Sequence, residues 1–433
     1  MQPDSAIYRA RRERALEQLG DGVMVIATAP EVARNRDTHY PYRHDSYFYW
    51  LTGFNEPEAV VVLVGGKAPR HILFCREKNE EREIWDGFRY GPAAAREVFA
   101  FDDTFAYDTL DVELPRLLEN QPTLAYLIGR DMAWDTRVMG WFNTVRSKAR
   151  SGVHAPNRMV DARIWLDEMR LVKDGHELAL MRRAAEISTG AHRAAMRATR
   201  PGGHEYEIEA ELLSAFRRGG AEAPAYTSIV ASGANACVLH YVFNNRPLRD
   251  GDLLLIDAAA EFGSYAADIT RTFPVNGRFS AAQKDAYELV LAAQAAAIDA
   301  VRPGNHWNSP HESAVRVLTQ GMVDLGLLQG EVDGLIESGA YSRFYMHRTG
   351  HWLGMDVHDA GEYKLQGEWR PLVPGMTLTV EPGLYIRPAD DVPEAFWNIG
   401  IRIEDDVVVT GSGCEVLTTP PKTVAEIEAW MNP

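Results

Sequence analysis

The sequence has few cysteines, no excess of basic residues and no long apolar run, and each absence excludes a class of protein. Its three cysteines, Cys75, Cys237 and Cys414, form no CxxC motif, which argues against a disulfide framework and a thiolate zinc site. Lys and Arg number 45 against 61 Asp and Glu, and this net charge of −16 argues against nucleic acid or an anionic membrane as a partner. The apolar run at 59–64 is far shorter than the roughly 20 residues that cross a bilayer. These absences predict a soluble cytoplasmic protein.

The length of 433 residues and the hydrophobic content of 46% are sufficient for two packed domains. Strand-like segments at 59–64, 70–75 and 123–129 alternate with helical stretches, which predicts an α/β domain over 1–169. Apolar residues at helical spacing over 177–198 begin the second domain, which we place at 170–433.

The second domain contains a weak internal repeat. Arg-Pro-Gly occurs at 200–202 and again at 302–304, and each triplet ends a helical stretch. Each is followed by a second amphipathic stretch and then by a strand that ends on an acid, LRDGDLLLID at 248–257 and LVPGMTLTVE at 372–381. A chance match is the alternative. A duplicated α+β unit explains both the repeated Arg-Pro-Gly triplet and the repeated strand that ends on an acid. This duplication equates Asp257 with Glu381.

The segment 253–275 predicts a β-hairpin that carries two acids. A turn centred at 262–263 would place Asp257 directly opposite Asp268, where like charges destabilise a sheet. Asp257 also follows four apolar residues, where an unpaired carboxylate is costly. A metal ion would neutralise the pair; protonation of one acid, or a contact with Arg271, is the alternative.

Two more carboxylates come from the second half of the repeat. Glu381 closes the strand before Pro382, and strict alternation over 400–409 places Arg402 and Glu404 on one face. Four acids exceed what one divalent ion requires, so two ions bridged by carboxylates are the expected arrangement. Oxygen ligands of this kind favour a site for Mn²⁺, Co²⁺ or Mg²⁺ over a zinc site built from thiolates.

Histidines are concentrated near these acids in the sequence. His347, His351 and His358 fall within one short apolar stretch, whereas His240 stands alone and is a weak signal. His347 and His351 have the spacing of the helical HExxH motif, but Gly350 interrupts the helix, and that interpretation fails. The residues alone do not single out one histidine as a ligand.

The sequence resembles the pita-bread metallopeptidases, most closely their aminopeptidase P branch, over essentially its whole length. The motifs that carry the resemblance are YPYR, FYWLTGFNEPEAVVVL, EIWDGFRYG, VLHY, LIDAAAEFGSYAADITRTFPVNG, HWLGMDVHD, TVEPGLYI and IGIRIEDD. The resemblance implies a creatinase-like α/β N-terminal domain that walls the substrate pocket and mediates oligomerisation. It also implies an α+β pita-bread catalytic domain with an internal pseudo-twofold repeat.

The resemblance further implies two divalent metal ions, Mn²⁺ or else Co²⁺ or Zn²⁺. The implied metal ligands are Asp257, Asp268, His351, Glu381 and Glu404. The implied catalytic residues are His240, His347, His358, Glu381 and Arg402. The implied substrate-binding residues are Trp85, His240, His347, His358 and Tyr385.

The implied activity is that of an Xaa-Pro aminopeptidase, which releases the N-terminal residue from peptides with proline in second position. A metal-bridging hydroxide would attack the scissile carbonyl, Glu381 would carry the proton, and the protein would be a tetramer or dimer of identical chains. The alternatives are a prolidase, which cleaves Xaa-Pro dipeptides, and a non-catalytic pita-bread binding protein. Arg348 stands where related sequences carry Gly, which predicts an effect on the peptides accepted.

Overall fold

The computed structural model describes residues 4–432 and divides into two compact units. The boundary between them falls between Met169 and Arg170. Within residues 4–432, no helix combines the length and the apolar character needed to cross a membrane.

The N-terminal unit alternates helices and strands. Its helices are α1 Ser5–Leu19, α2 Ser46–Thr52, α3 Glu80–Asp86, α4 Gly91–Val98, α5 Leu110–Leu118 and α6 Met132–Arg146, and α7 Arg163–Leu171 crosses the boundary. Its strands are β1 Val23–Ala27, β2 Val60–Val64, β3 Arg70–Cys75, β4 Asp103–Ala106, β5 Thr123–Tyr126 and β6 Arg158–Asp161. They form one mixed sheet in the order β4-β3-β2-β1-β5-β6.

The predicted strands of this unit are present in that sheet. β2 and β3 occupy the segments expected at 59–64 and 70–75, and their side chains are buried on both faces, as continuous apolar runs require. β5 ends at Tyr126, three residues short of the predicted 123–129. Gly129 takes a φ of +74°, a conformation that does not continue a strand.

The C-terminal unit begins with a long helix that is capped by Asp174. Its helices are α8 Gly175–Ala198, α9 Glu205–Arg218, α10 Ala281–Asp299, α11 Ser309–Asp324, α12 Val332–Glu337 and α13 Val424–Met431. Its first strands are β7 Ala223–Pro224, β8 Ile229–Ser232, β9 Leu253–Asp257, β10 Ala260–Phe262, β11 Tyr265–Ala266 and β12 Thr270–Pro274. The later strands are β13 Lys364–Leu365, β14 Glu368–Trp369, β15 Thr377–Val380, β16 Gly383–Ile386, β17 Ile399–Arg402, β18 Asp405–Val409 and β19 Cys414–Val416.

The two halves of this unit repeat one arrangement of helices and sheet. α8 packs on α9 in the first half, and α10 packs on α11 in the second. β9 pairs antiparallel with β12 in the first half, and β15 pairs antiparallel with β18 in the second. Asp257 ends β9 and Glu381 directly follows β15, so the two equated acids stand at corresponding strand ends. One apolar cluster joins both halves, with Phe273 and Val380 among its members.

The predicted hairpin register is wrong by two residues. Asp257 pairs with Thr270 rather than with Asp268. The reason lies in the turn, because Gly263 and Ser264 both take positive φ, at 57° and 69°, and form its two central positions. A shift of two residues leaves every side chain on its original face. Asp268 is therefore a diagonal neighbour of Asp257 on the same face of the ladder.

Candidate metal centre

A cavity of about 750 Å³ lies in the C-terminal unit and collects the acids and histidines of both halves. Its polar lining residues are Tyr226, His240, Asp257, Asp268, His347, Arg348, His351, His358, Glu381, Arg402 and Glu404. Aromatic and aliphatic side chains complete the walls, among them Trp307 and Trp369. A largely apolar pocket with converging polar groups is the usual form of an active site.

Three side chains in this cavity are close enough together to hold one metal ion. A ligating atom from each of Asp268, His351 and Glu404 lies within 4.8 Å of the other two. Glu381 adjoins them, since its Oε1 atom is 3.6 Å from Nε2 of His351. The carboxylate of Asp257 is joined to that of Asp268 by one shared hydrogen-bond donor, the hydroxyl of Tyr226. All five predicted ligands therefore converge.

The backbone orients the imidazole of His351. Its Nδ1 atom lies 3.0 Å from the carbonyl oxygen of Trp352, which can only accept, so Nδ1 carries the proton. Nε2, the nitrogen left to bind a metal ion, faces Asp268, whose Oδ2 atom is 3.4 Å away. A histidine held in this way through its second nitrogen is typical of metal sites.

Arg402 and Thr270 connect the carboxylates behind the cavity. The Arg402 guanidinium donates to Oδ2 of Asp257 at 2.6 Å and to the Thr270 hydroxyl at 3.1 Å. That hydroxyl donates in turn to Oε2 of Glu404 at 2.6 Å. Because Arg402 also donates to the hydroxyl of Tyr385 at 3.0 Å, one buried cation fixes residues from three strands.

Sequence reasoning missed Tyr226 and Thr270. The Tyr226 hydroxyl lies 2.6 Å from an oxygen of Asp257 and 2.5 Å from one of Asp268. Nothing in the chain around Tyr226 indicates this contact, since its partners lie 31 and 42 residues away. Thr270 was open to prediction, because the correct hairpin register places it opposite Asp257.

The electrostatics of the cluster favour a bound cation. Burial raises the pKa of Glu381 to about 7, and burial with the charge of Asp268 raises the pKa of Glu404 well above its ordinary value. Burial opposes a charge on His351, yet the hydrogen bond to Asp268 and the charge of Glu381 raise its pKa to about 9. Burial therefore works against the ionised carboxylates, and a cation among them would offset that cost.

The donor set fits hard divalent ions. It consists of carboxylate oxygens and one imidazole, a combination suited to Mn²⁺ and similar ions, and it includes no thiolate. A buried group of acids is stable only when protonated or paired, and a bound cation removes that cost. The residues present therefore fit the metal that the sequence predicts.

The predicted histidines around the cluster take different positions. His240 and His358 line the cavity, and the His358 ring lies 4.1 Å from that of His351. His347 also lines it, but both ring nitrogens are engaged, Nδ1 with the carbonyl oxygen of Arg348 at 2.7 Å and Nε2 with the hydroxyl of Tyr385 at 2.8 Å. Burial and the charge of Arg402 lower the pKa of His347 to about 3, so its imidazole is neutral.

Two of the residues predicted to bind substrate lie elsewhere. Tyr385 is buried behind His347. Trp85 lies on α3 of the N-terminal unit, where 83% of its surface is exposed, and its place in the substrate pocket stays a prediction.

Arg348 lines the cavity, where its guanidinium donates to the side chain of Asn308 and lies 5.4 Å from the Trp369 ring centre.

Comparison with known proteins identifies the family. The model of metallopeptidase family M24 matches residues 179–411, which include every predicted ligand. The chain belongs to metallopeptidase family M24. A second model, the aminopeptidase P N-terminal domain, matches residues 8–126.

Members of the family resemble this chain over nearly its full length. The Xaa-Pro aminopeptidases of Escherichia coli and Haemophilus influenzae are 45% and 44% identical to it, over 98% of this chain and 97% of theirs. The solved structure of Pseudomonas aeruginosa aminopeptidase PepP is 53% identical, with a TM-score of 0.98 over 99% of this chain and 98% of that one. The predicted fold class is confirmed, with an aminopeptidase P N-terminal domain followed by a family M24 domain.

Proposed function

We propose that this chain is an Xaa-Pro aminopeptidase that uses two divalent ions, with Mn²⁺ preferred over Co²⁺ and Zn²⁺. The observation that carries the proposal is the convergence of four carboxylates and one imidazole at a single substrate-sized cavity. The full-length relatives that share this fold are named for the same activity. Asp257, Asp268, His351, Glu381 and Glu404 would hold the ions. Divalent ions at such a site supply Lewis acidity and water of lowered pKa.

The charges in the cavity orient the peptide. The carboxylates of Asp257 and Glu404 attract the free amino terminus, which is where an exopeptidase must anchor its substrate. His240 and His358 line the cavity, where their ring N–H groups would stabilise the negative charge that develops on the scissile carbonyl oxygen. Glu381, whose carboxylate lies beside His351 in the cavity, would carry a proton to the nitrogen of the leaving proline.

We propose a second role for His347 beside the predicted one. The Arg348 carbonyl can only accept, so Nδ1 of the neutral ring carries the proton and Nε2 accepts from the hydroxyl of Tyr385. That hydroxyl also accepts from Arg402. His347 would thus help to hold Tyr385, and through it Arg402, behind the proposed metal ligands.

We further propose that the chain is a cytoplasmic homo-oligomer whose N-terminal domain, residues 1–169, mediates assembly and walls the pocket. Three free cysteines accord with a reducing compartment. Ile84 and Trp85 on α3 are exposed apolar side chains of the kind that subunit contacts cover. Size-exclusion chromatography with light scattering measures the subunit number.

Cleavage of a tripeptide Xaa-Pro-Yaa tests the activity directly. We expect release of the first residue from the tripeptide and little action on the dipeptide Xaa-Pro, with activity lost after chelation and restored by Mn²⁺. Cleavage of dipeptides alone would establish a prolidase instead. Stoichiometric metal binding without cleavage of either peptide would favour a binding protein.

A second expectation concerns Tyr226, whose hydroxyl positions two of the ligands. Phenylalanine at this position is expected to weaken metal binding by roughly 10- to 100-fold, the usual effect of losing a hydrogen bond to a ligand. Titration of the chelator-treated protein with Mn²⁺ measures the effect. Tyr206→Phe, at an exposed tyrosine stacked on His204, is the matched control and should bind as the wild type does.

A further inference from the structure

A long connection between β8 and β9 forms one wall of the cavity. Residues 233–252, here called the His240 loop, contribute Leu239, His240 and Val242 to that wall. The loop contains a 3-10 turn, Gly233–Cys237, and otherwise no helix or strand. Ordered loops longer than about 12–15 residues are usually functional, and they need specific contacts to hold one conformation.

Apolar packing orders only part of this loop. Ala236, Cys237 and Leu248 are buried, whereas Phe243 and Val242, in the segment next to His240, are 76% and 45% exposed. Exposed side chains gain little from the hydrophobic effect, so polar contacts are needed to order that segment.

Those contacts converge on one buried carboxylate. Glu205, the first residue of α9, is fully buried. Its Oε1 atom accepts from the backbone N–H and the hydroxyl of Ser232, at 2.7 and 2.8 Å, and from the Asn235 amide at 3.1 Å. Its Oε2 atom accepts from the hydroxyl of Tyr241 at 2.8 Å and from the backbone N–H of Arg246 at 2.9 Å. The five bonds span the loop from its start to a point six residues beyond His240.

Only a carboxylate suits these partners. All five are donors, and an ionised carboxylate is the side chain that accepts at both of its ends. A glutamine of the same shape would direct its NH₂ group at donors, which leaves them unsatisfied in a buried site. A buried charge is costly, and full hydrogen bonding is what makes it tolerable at this position.

We propose that Glu205 is a positioning residue for catalysis, which holds the His240 loop and thereby the His240 ring against the substrate. The proposal rests on the proposed function, since it assigns His240 a part in the reaction. A second anchor keeps the base of the loop in place without Glu205. Asn244 donates to the carbonyl of Ser228 and accepts from the N–H of Val230, both at 2.9 Å. Loss of the carboxylate should therefore loosen the loop rather than unfold the unit.

The variant Glu205→Gln tests the proposal. We expect kcat/KM for an Xaa-Pro-Yaa tripeptide to fall about 10- to 100-fold, because small displacements of a reacting group have effects of that size. Metal content should stay at the wild-type level, since no predicted ligand lies on the loop. Amide hydrogen exchange over 233–246 should accelerate. Glu207→Gln, on the same helix, is the matched control, because glutamine can keep the capping contact with the N–H of His204.

A double-mutant cycle separates positioning from a general structural effect. In a His240→Ala background, Glu205→Gln should lower kcat/KM by no more than about 3-fold, because the group it positions is gone. Equal losses in both backgrounds, or a variant within 2-fold of the wild type, would overturn the proposal. If Glu205→Gln does not fold, Tyr241→Phe removes one of the five donors and should show the same pattern at smaller amplitude. Hydrogen exchange is independent of substrate, so unchanged exchange refutes the loop contact even if the peptide chosen is not cleaved.

Discussion

Replacing Asp268 with alanine is expected to lower kcat/KM for an Xaa-Pro-Yaa peptide by about 10³-fold or more, which is about 4 kcal/mol of transition-state stabilisation. Asp268 lies at the centre of the cluster. Its carboxylate adjoins His351, shares the Tyr226 hydroxyl with Asp257 and has a ligating oxygen close to that of Glu404. On the proposed two-ion assignment, its loss would leave an incomplete ligand set for either ion.

The same variant should lose its thermal response to metal. A ligand that binds only the folded state raises the melting temperature, so Mn²⁺ should stabilise the chelator-treated wild type and leave Asp268→Ala unchanged. Metal content by mass spectrometry should fall in parallel. Asp285→Ala, at an exposed acid on α10, serves as the control and should match the wild type in all three measurements. Wild-type metal content and turnover in Asp268→Ala would show that the site is assigned wrongly.

The hairpin shows which part of this site could be predicted from sequence. The apolar run before Asp257 and the turn residues near Gly263 are local features, so the strands and the shared face of Asp257 and Asp268 could be predicted. Their register could not, because it depended on Ser264 taking a left-handed conformation that serine adopts infrequently. The prediction that both acids lie on one face was still correct, because a register error of two residues leaves each side chain on its original face of the sheet.

Other features depend on contacts that no local pattern encodes. His351 was separated from His347 only by resemblance, and the difference between them lies in the carbonyls and hydroxyl that their ring nitrogens meet. Glu205 lies 36 residues from Tyr241 and in sequence is one acid among several in α9. The chain folds these partners together through its sheets, so their roles appear only in three dimensions.

Removing the carboxylate of Asp359 is expected to lower the free energy of unfolding by about 3–5 kcal/mol, as for other broken buried ion pairs. Asp359 accepts from Arg170 at 2.5 Å and from Lys173 at 2.8 Å, and each of the three side chains is only 1% exposed. Asp359→Asn would remove the anion that buried Lys173 and Arg170 share, while Arg170 keeps its 2.9 Å contact to Asp356. The network also fixes the segment next to His358. Urea unfolding at pH 7 measures the decrease in the free energy of unfolding.

The difference in free energy of unfolding between wild type and Asp359→Asn should change with pH in one direction. Burial opposes the charge on Asp359, but Lys173 and Arg170 overcome it and hold its pKa below the ordinary value. A lowered folded-state pKa means that the stabilisation is complete above the unfolded pKa of about 3.9 and is lost as pH falls through the folded value. The difference between wild type and Asp359→Asn should therefore be constant from neutral pH down to about pH 5 and shrink at lower pH.

An exposed ion pair in the same unit provides the control for both measurements. Arg316 and Asp333 lie 2.9 Å apart with side chains 64% and 80% exposed. Asp333→Asn should cost no more than about 1 kcal/mol, because water screens a pair of this kind. Equal losses in the two variants would contradict the assignment of Asp359 as a buried anchor. If the stability difference between wild type and Asp359→Asn grew as pH fell below the unfolded pKa, the pKa of Asp359 would not be lowered in the folded state.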